Sequence, residues 1–207
     1  MLSLTPQNDR PWRKPAEWWP QLAAATDGIE PPYGVISVEA LAANAFDMLG
    51  RAQGTTIRVA SKSVRVRGVL DAVLALPGFH GILAYTLPEA LWLAETHDDI
   101  VVGYPTANRE AIARLAADET LASRVTLMVD SLAHLDLIDS VVAPAKRASI
   151  RLCLELDASY QNPLLGHIGV RRSPVHHPGD AGALAGYIAG RPGFRLVGVM
   201  AYEAQVA

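Results

Sequence analysis

A chain of 207 residues, half of it hydrophobic and with a formal net charge of −3, can bury the core of one full-sized domain or two small ones. Its charge balance, without any run of lysine and arginine, excludes a nucleic-acid partner, and no stretch is long and apolar enough to read as a membrane span. The lone cysteine, Cys153, excludes an internal disulfide framework and suits a reducing compartment; with no signal-peptide core after Met1, the expectation is a cytoplasmic protein.

Residues 1–36 are irregular and rich in Pro and Trp, and are expected to form an N-terminal arm with a short helix near Glu17–Ala25. From Ser37 a regular pattern starts. Val38, Leu41, Ala42, Ala45, Met48 and Leu49 recur at helical spacing, with Ser37 as N-cap and Gly50 near the end. Six short apolar runs follow: Thr56–Lys62, Gly81–Thr86, Ile100–Tyr104, Arg124–Asp130, Ser149–Asp157 and Leu196–Tyr202. Helical patterns alternate with them, at Val64–Ala75, Pro88–Thr96, Asn108–Asp118, Leu132–Ala145 and Asp180–Ala189. Thr86-Leu87-Pro88-Glu89 reads as a capping box, and Thr106 and Ser131 are candidate N-caps.

Strands that are continuous apolar runs are buried on both faces, and strand–helix alternation at this spacing predicts right-handed βαβ units with a parallel sheet. The choice lies between an open doubly wound sheet and a (β/α)8 barrel. No Gly-x-Gly-x-x-Gly follows the first strand, and all six runs end in polar or aromatic groups, which favours the barrel. A barrel needs eight strands in about 250 residues, so the chain reads as a barrel truncated after about six strands.

Lys62 stands out among these strand endings. The chain has fifteen arginines and only three lysines, Lys14, Lys62 and Lys146, and Lys62 is flanked by Arg58, Arg65 and Arg67. A lysine where arginine is otherwise preferred points to a need for an amine that can lose its proton. Burial at a barrel mouth would favour the neutral, nucleophilic form that Schiff-base chemistry uses; a rim lysine reaching water is the plain alternative. The long loop Ala158–Pro178 is expected to lack regular structure and to lie on the functional side. Its His176-His177 pair lacks convincing metal-ligand spacing, and Asp130 and Asp157 read as structural.

The stretch Val59-Ala60-Ser61-Lys62 resembles the cofactor-lysine motif of the fold-type III pyridoxal-phosphate enzymes, among them alanine racemase, D-threonine aldolase and D-serine dehydratase. Matching segments follow in order: Met128-Val129-Asp130-Ser131, Leu154-Glu155-Leu156-Asp157, and Gly198-Val199-Met200-Ala201-Tyr202-Glu203-Ala204-Gln205. The similarity is greatest to D-threonine aldolase-like proteins and runs from about Tyr33 to the last residue.

The resemblance implies an alanine racemase-like barrel over residues 37–207, with the remaining barrel units and a C-terminal β domain beyond Ala207. It implies pyridoxal 5'-phosphate held by Lys62 and a small amino acid, D-configured or β-hydroxylated, as substrate. Aldol cleavage or β-elimination is the expected reaction, with racemisation or non-catalytic cofactor carriage as alternatives. Tyr202 would lie beside the cofactor ring. The family's Gly-x-Arg-x-Gly-Val segment, whose arginine contacts the cofactor, corresponds to Gly166-His167-Ile168-Gly169-Val170-Arg171-Arg172. That leaves either Arg171, from a shifted loop, or His167 to make the contact. A homodimer, and a divalent metal bound by the C-terminal domain, complete what the family implies; no metal ligand is assigned in this chain.

Overall fold

The computed structural model describes residues 2–206. It divides into two units: residues up to Val59 together with Val66–His80, and Ala60–Arg65 together with the chain from Gly81 onward.

Among the described residues the first unit holds the α-helices α1 (Pro15–Ala25), α2 (Val38–Ala52) and α3 (Arg67–Leu74), a 3-10 turn at Pro11–Arg13, and most of strand β1 (Ile57–Ala60). Pro15 occupies the first turn of α1, where its missing N–H costs nothing. α1 buries none of its residues; Trp12 and Trp18 meet edge to face at 6.3 Å, and Leu4 is the arm's buried anchor. Ser37 caps α2 as its spacing predicts, accepting a hydrogen bond from Ala40 N at 3.2 Å. The helix runs past Gly50 and ends at Gln53, whose φ of 48° supplies the left-handed turn.

The second unit contains β2 (Phe79–Ala84, from Gly81 on), α4 (Leu87–Leu93), β3 (Ile100–Val102), α5 (Arg109–Ala117), α6 (Glu119–Arg124), β4 (Val125–Val129), α7 (Leu132–Val141), β5 (Ile150–Leu156), the short strands β6 (Tyr160–Asn162) and β7 (Gly166–Ile168), α8 (Pro178–Gly190) and β8 (Phe194–Ala201). The main sheet has six strands in the order β1-β2-β3-β4-β5-β8. Ile82 pairs with Ile100, Ile100 with Val125, Thr126 with Arg151 and Leu154 with Val199, all in parallel. Every residue of β4 is buried, as a strand covered on both faces requires. The sheet is open among the described residues: β8 has no neighbour beyond β5, and its Val197 and Val199 are 40 % and 64 % exposed. Six parallel strands flanked by helices are thus present, without closure.

Local chemistry explains the departures from the periodicity. Asp118 accepts from Thr120 N and Leu121 N, which ends α5 and starts the separate helix α6. Asn108, not Thr106, caps α5: its Oδ1 takes Ala111 N, while Thr106 Oγ1 takes Asn108 N. Ser131 stands at the start of α7 but makes no capping bond and meets His134 Nδ1 instead. α7 stops at Val141, and Pro144 begins a 3-10 turn where the pattern predicted continuous helix. The loop after β5 is not structureless. β6 and β7 pair antiparallel around Asn162, whose side chain accepts from Leu164 N and Leu165 N and so turns the chain.

At the β5–β8 junction, the side chain of Arg147 has no exposed surface. It pairs with Asp139, donates to the carbonyls of Val142 and Gly193, and lies 4.2 Å over the Phe194 ring. Arg191 extends the network to Asp136 and Asp139. Its guanidinium pKa is raised: burial lowers it, but the two aspartates outweigh burial.

Candidate active site at the carboxyl ends of the strands

Strand β1 gives way after Ala60 to a single 3-10 turn, Ser61–Ser63, rather than running to Lys62. Ser61 is fully buried and donates its hydroxyl to Leu83 O, at 3.4 Å, fixing the turn against β2. The next residue, Lys62, is exposed instead of buried, since the turn moves it out of the pleat onto the rim.

Lys62 lines a cavity of about 230 Å³ with Tyr85, Gly103, Tyr104, Arg172, Met200 and Tyr202, among others. These groups come from the ends of β1, β2, β3 and β8 and from the loop after β7. The parallel arrangement delivers them together, because every strand ends at the same side of the sheet. Cations stack on the aromatic rings of the cavity walls. Arg65 lies 5.3 Å over Tyr85, Tyr85 meets Tyr104 edge to face at 5.8 Å, and Arg172 lies 4.6 Å over Tyr104 and 5.5 Å from Tyr202.

Arg172 is held further. Its Nε is 2.7 Å from Glu155 Oε1, and its Nη2 donates to Gly103 O at 2.8 Å. Glu155 is 1 % exposed, on β5. Burial raises its carboxyl pKa; the Arg172 charge and hydrogen bond act against that, and the charge of Asp130 adds to it. Asp130 itself pairs with His134, 3.1 Å away.

Of the residues singled out in the sequence, Lys62 and Tyr202 share this cavity. Arg171 and His167 line a different pocket of about 370 Å³, together with Asp157, Ser173 and His176, to which Arg172 also contributes. There Asp157 accepts from the amide and hydroxyl of Ser159, at 3.0 and 2.5 Å, and its carbonyl meets His176 Nδ1 at 3.0 Å. Burial alone would raise the Asp157 pKa, but the Ser159 bonds and the charges of His176 and His167 bring it below the ordinary value. Gly169, at φ 127°, closes this loop: a Cβ there would lie 2.7 Å from Ser159 Oγ, so only glycine fits.

Arg172 and Glu155 carry the arrangement, and pattern reading undervalued both. A glutamate inside the buried run Ile150–Leu156 was the available signal, because a carboxylate at such a position needs a cationic partner from elsewhere in the chain. Among the described residues, no three His, Cys, Asp or Glu side chains gather as metal ligands. No helix among them is long and apolar enough to cross a membrane.

Residues 36–207 match the family described as alanine racemase, N-terminal domain. No curated protein matches the chain. Among solved structures, it is similar to D-threonine aldolase from Filomicrobium marinum, with TM-score 0.65 and 20 % identity, over 83 % of this chain and 44 % of that one. It is also similar to alanine racemase from E. faecalis, with TM-score 0.58 and 15 % identity, over 80 % of this chain and 42 % of that one. At these identities the likeness is one of fold, and the chain spans less than half the length of either protein.

Proposed function

The chain belongs to the alanine racemase N-terminal domain family, a family of pyridoxal-phosphate enzymes, and on that premise we propose that it is the cofactor-bearing part of an amino-acid lyase. The reaction is aldol cleavage or β-elimination of a small D- or β-hydroxy amino acid, with Lys62 as the attachment point. One observation carries the reading: a primary amine opens onto a small cavity with aromatic walls and a fixed guanidinium beside it.

That donor set fits pyridoxal 5'-phosphate. The amine can condense with an aldehyde, the rings of Tyr104 and Tyr202 can flank a flat heteroaromatic group, and Arg172 can meet an anionic oxygen. Once bound, the cofactor supplies an electron sink for the pair released at the substrate α-carbon. The protein's own work is narrower. Lys62 would hold the cofactor through its Nζ and, once the substrate amine has taken its place there, would be free to move a proton at the substrate α-carbon. Tyr202 and Tyr104 keep water from the ring faces, and Arg172 fixes the orientation of the bound anion. Lyase over racemase rests on the sequence resemblance to D-threonine aldolase-like proteins, carried by Val59-Ala60-Ser61-Lys62 and the segments that follow it.

Residues 37–207 are then the barrel portion of the protein and residues 1–36 an arm. The test is direct. The protein is loaded with pyridoxal phosphate, reduced with borohydride and digested, and the phosphopyridoxyl peptide is mapped. Loaded, unreduced protein is then given D-threonine and D-serine. Glycine with acetaldehyde, or pyruvate with ammonia, is the expected product. Epimer without cleavage would replace the lyase by a racemase, and a Lys62 adduct without turnover by a carrier. No adduct at all would end the reading.

A further inference from the structure

We propose that the cavity between the β2–α4 and β3–α5 loops is a second binding pocket, which takes a neutral apolar side chain of the amino acid held at Lys62. That the occupant is a substrate side chain rests on the function proposed above; the fitness of the pocket for a neutral, aryl-sized group does not.

The pocket encloses about 450 Å³ and shares two walls with the Lys62 cavity, Tyr85 and Tyr104. Its floor is Leu87 and Val102, each 1 % exposed, and Thr106, Ala107 and Asn108 edge its mouth. The Lys62 cavity alone is about 230 Å³, below the roughly 300–1,000 Å³ usual for small-molecule sites. A cofactor and an amino acid together need more room than that, and the adjoining pocket supplies it. Between the two stand the rings of Tyr85 and Tyr104, edge to face at 5.8 Å. Both rings are partly exposed, so a group extending from the Lys62 cavity on this side meets aromatic surface and then the apolar floor.

None of the described residues lining the pocket carries a charge, so an ionised side chain would find no counter-charge there. The oxygens at its edge are already engaged in helix starts. Thr86 Oγ1 accepts from Glu89 N at 3.4 Å, Thr106 Oγ1 from Asn108 N at 3.2 Å, and Asn108 Oδ1 from Ala111 N at 2.9 Å. The two hydroxyl protons and the Asn108 Nδ2 donors meet no acceptor among the described residues, which leaves donors facing a ligand. Local bonds also hold the walls: Tyr85 N donates to Glu89 Oε2 at 3.0 Å, and Gly103 N to Ala84 O at 2.9 Å. Both loops are thus fixed on their strands, which lowers the ordering cost of binding. A fixed, uncharged pocket with an apolar floor and a few free donors suits a phenyl or branched alkyl group with an oxygen beside it.

The experiment uses the full chain and two readouts. The first needs no cofactor. Benzyl alcohol is titrated into isotope-labelled protein and the backbone amides are followed by NMR. Saturable shifts are expected at Thr86, Thr106, Ala107 and Asn108, and they should need about ten-fold more ligand in Ala107→Phe, which fills the pocket from an exposed position. The second readout is kcat/KM for D-phenylserine and for D-threonine in protein loaded with pyridoxal phosphate. Ala107→Phe should lower the phenylserine-to-threonine ratio by about ten-fold or more, the discrimination that even one methylene gives in an apolar pocket. A melting curve shows that the variant is folded; if it is not, the wild-type titration decides alone. Shifts elsewhere or none at all, an unchanged ratio in folded Ala107→Phe, or a wild type that turns over D-threonine but not D-phenylserine would overturn the pocket's assignment. Turnover of neither amino acid, with no Lys62 adduct, would instead remove the proposed function, and the titration would still decide whether the pocket takes a neutral aryl group.

Discussion

Replacing Lys62 by arginine separates chemistry from folding more cleanly than any other single change in this chain. The substitution keeps the charge and removes the primary amine. Lys62 is exposed, on a one-turn 3-10 segment, and makes no ion pair or hydrogen bond among the described residues. Surface changes of this kind stay within about 0.5 kcal/mol, which for a chain of this size is roughly 1–2 °C in Tm. Anchorage of the turn does not depend on the residue either, since Ser61 and not Lys62 bonds to Leu83. The expected result is an unchanged melting curve with no borohydride-trapped adduct and no turnover. Mapping is decisive because only two other lysines exist. Lys14 is paired with Glu17 on the surface, and Lys146 lies in the 3-10 turn before β5, at the opposite end of that strand from the cavity. A phosphopyridoxyl group on Lys14 or Lys146 in the wild type, or turnover retained in Lys62→Arg, would refute the reasoning. A Tm lower by more than about 5 °C would refute the surface placement on which the estimate rests.

Ile82→Ala, at a fully buried position of β2, should cost about 2–5 kcal/mol in denaturant unfolding. Asp118→Ala should cost about 1 kcal/mol, read the same way, because it removes the cap that starts α6. Asp157 has a folded pKa below its ordinary value of 3.8, so its contribution to stability is present above that pH and is lost as pH falls through the lowered value. Unfolding midpoints measured from pH 5 down to pH 2 should therefore fall more steeply in the wild type than in Asp157→Asn. Val199→Lys, on the exposed edge strand β8, should reduce self-association in sedimentation without loss of Tm.

The βα alternation was legible because buried parallel strands need apolar runs, and those runs differ visibly from the helices between them. Ser37 and the Thr86 capping box were legible for the same reason: a cap is a local bond between near neighbours, and Thr86 does accept from Glu89 N. Lys62 could be picked out by its residue type against fifteen arginines. The turn that exposes it could not, since it depends on Ser61 finding Leu83, far along the chain. Arg172 against Arg171 was beyond pattern as well. Adjacent arginines in a loop are equivalent until the loop is folded, and here Glu155, Ser173 and Gly169 decide which one meets the cavity. The hairpin after β5 was hidden because its strands are three residues each, too short for alternation to register.

That hairpin separates two roles within a single loop. Its rungs bond within themselves, its turn is held by Asn162, and its tip leaves Leu164 94 % exposed. The segment beyond it is tied to β5 through Glu155 and Asp157, independently of the tip. Chain length can therefore vary at Pro163–Leu165 while the spacing from Val170 to Val175 cannot. Insertions at the tip, natural or engineered, are a route for reshaping what borders the site, and a fluorophore or short epitope placed there should report on ligand entry without retuning the chemistry beneath it.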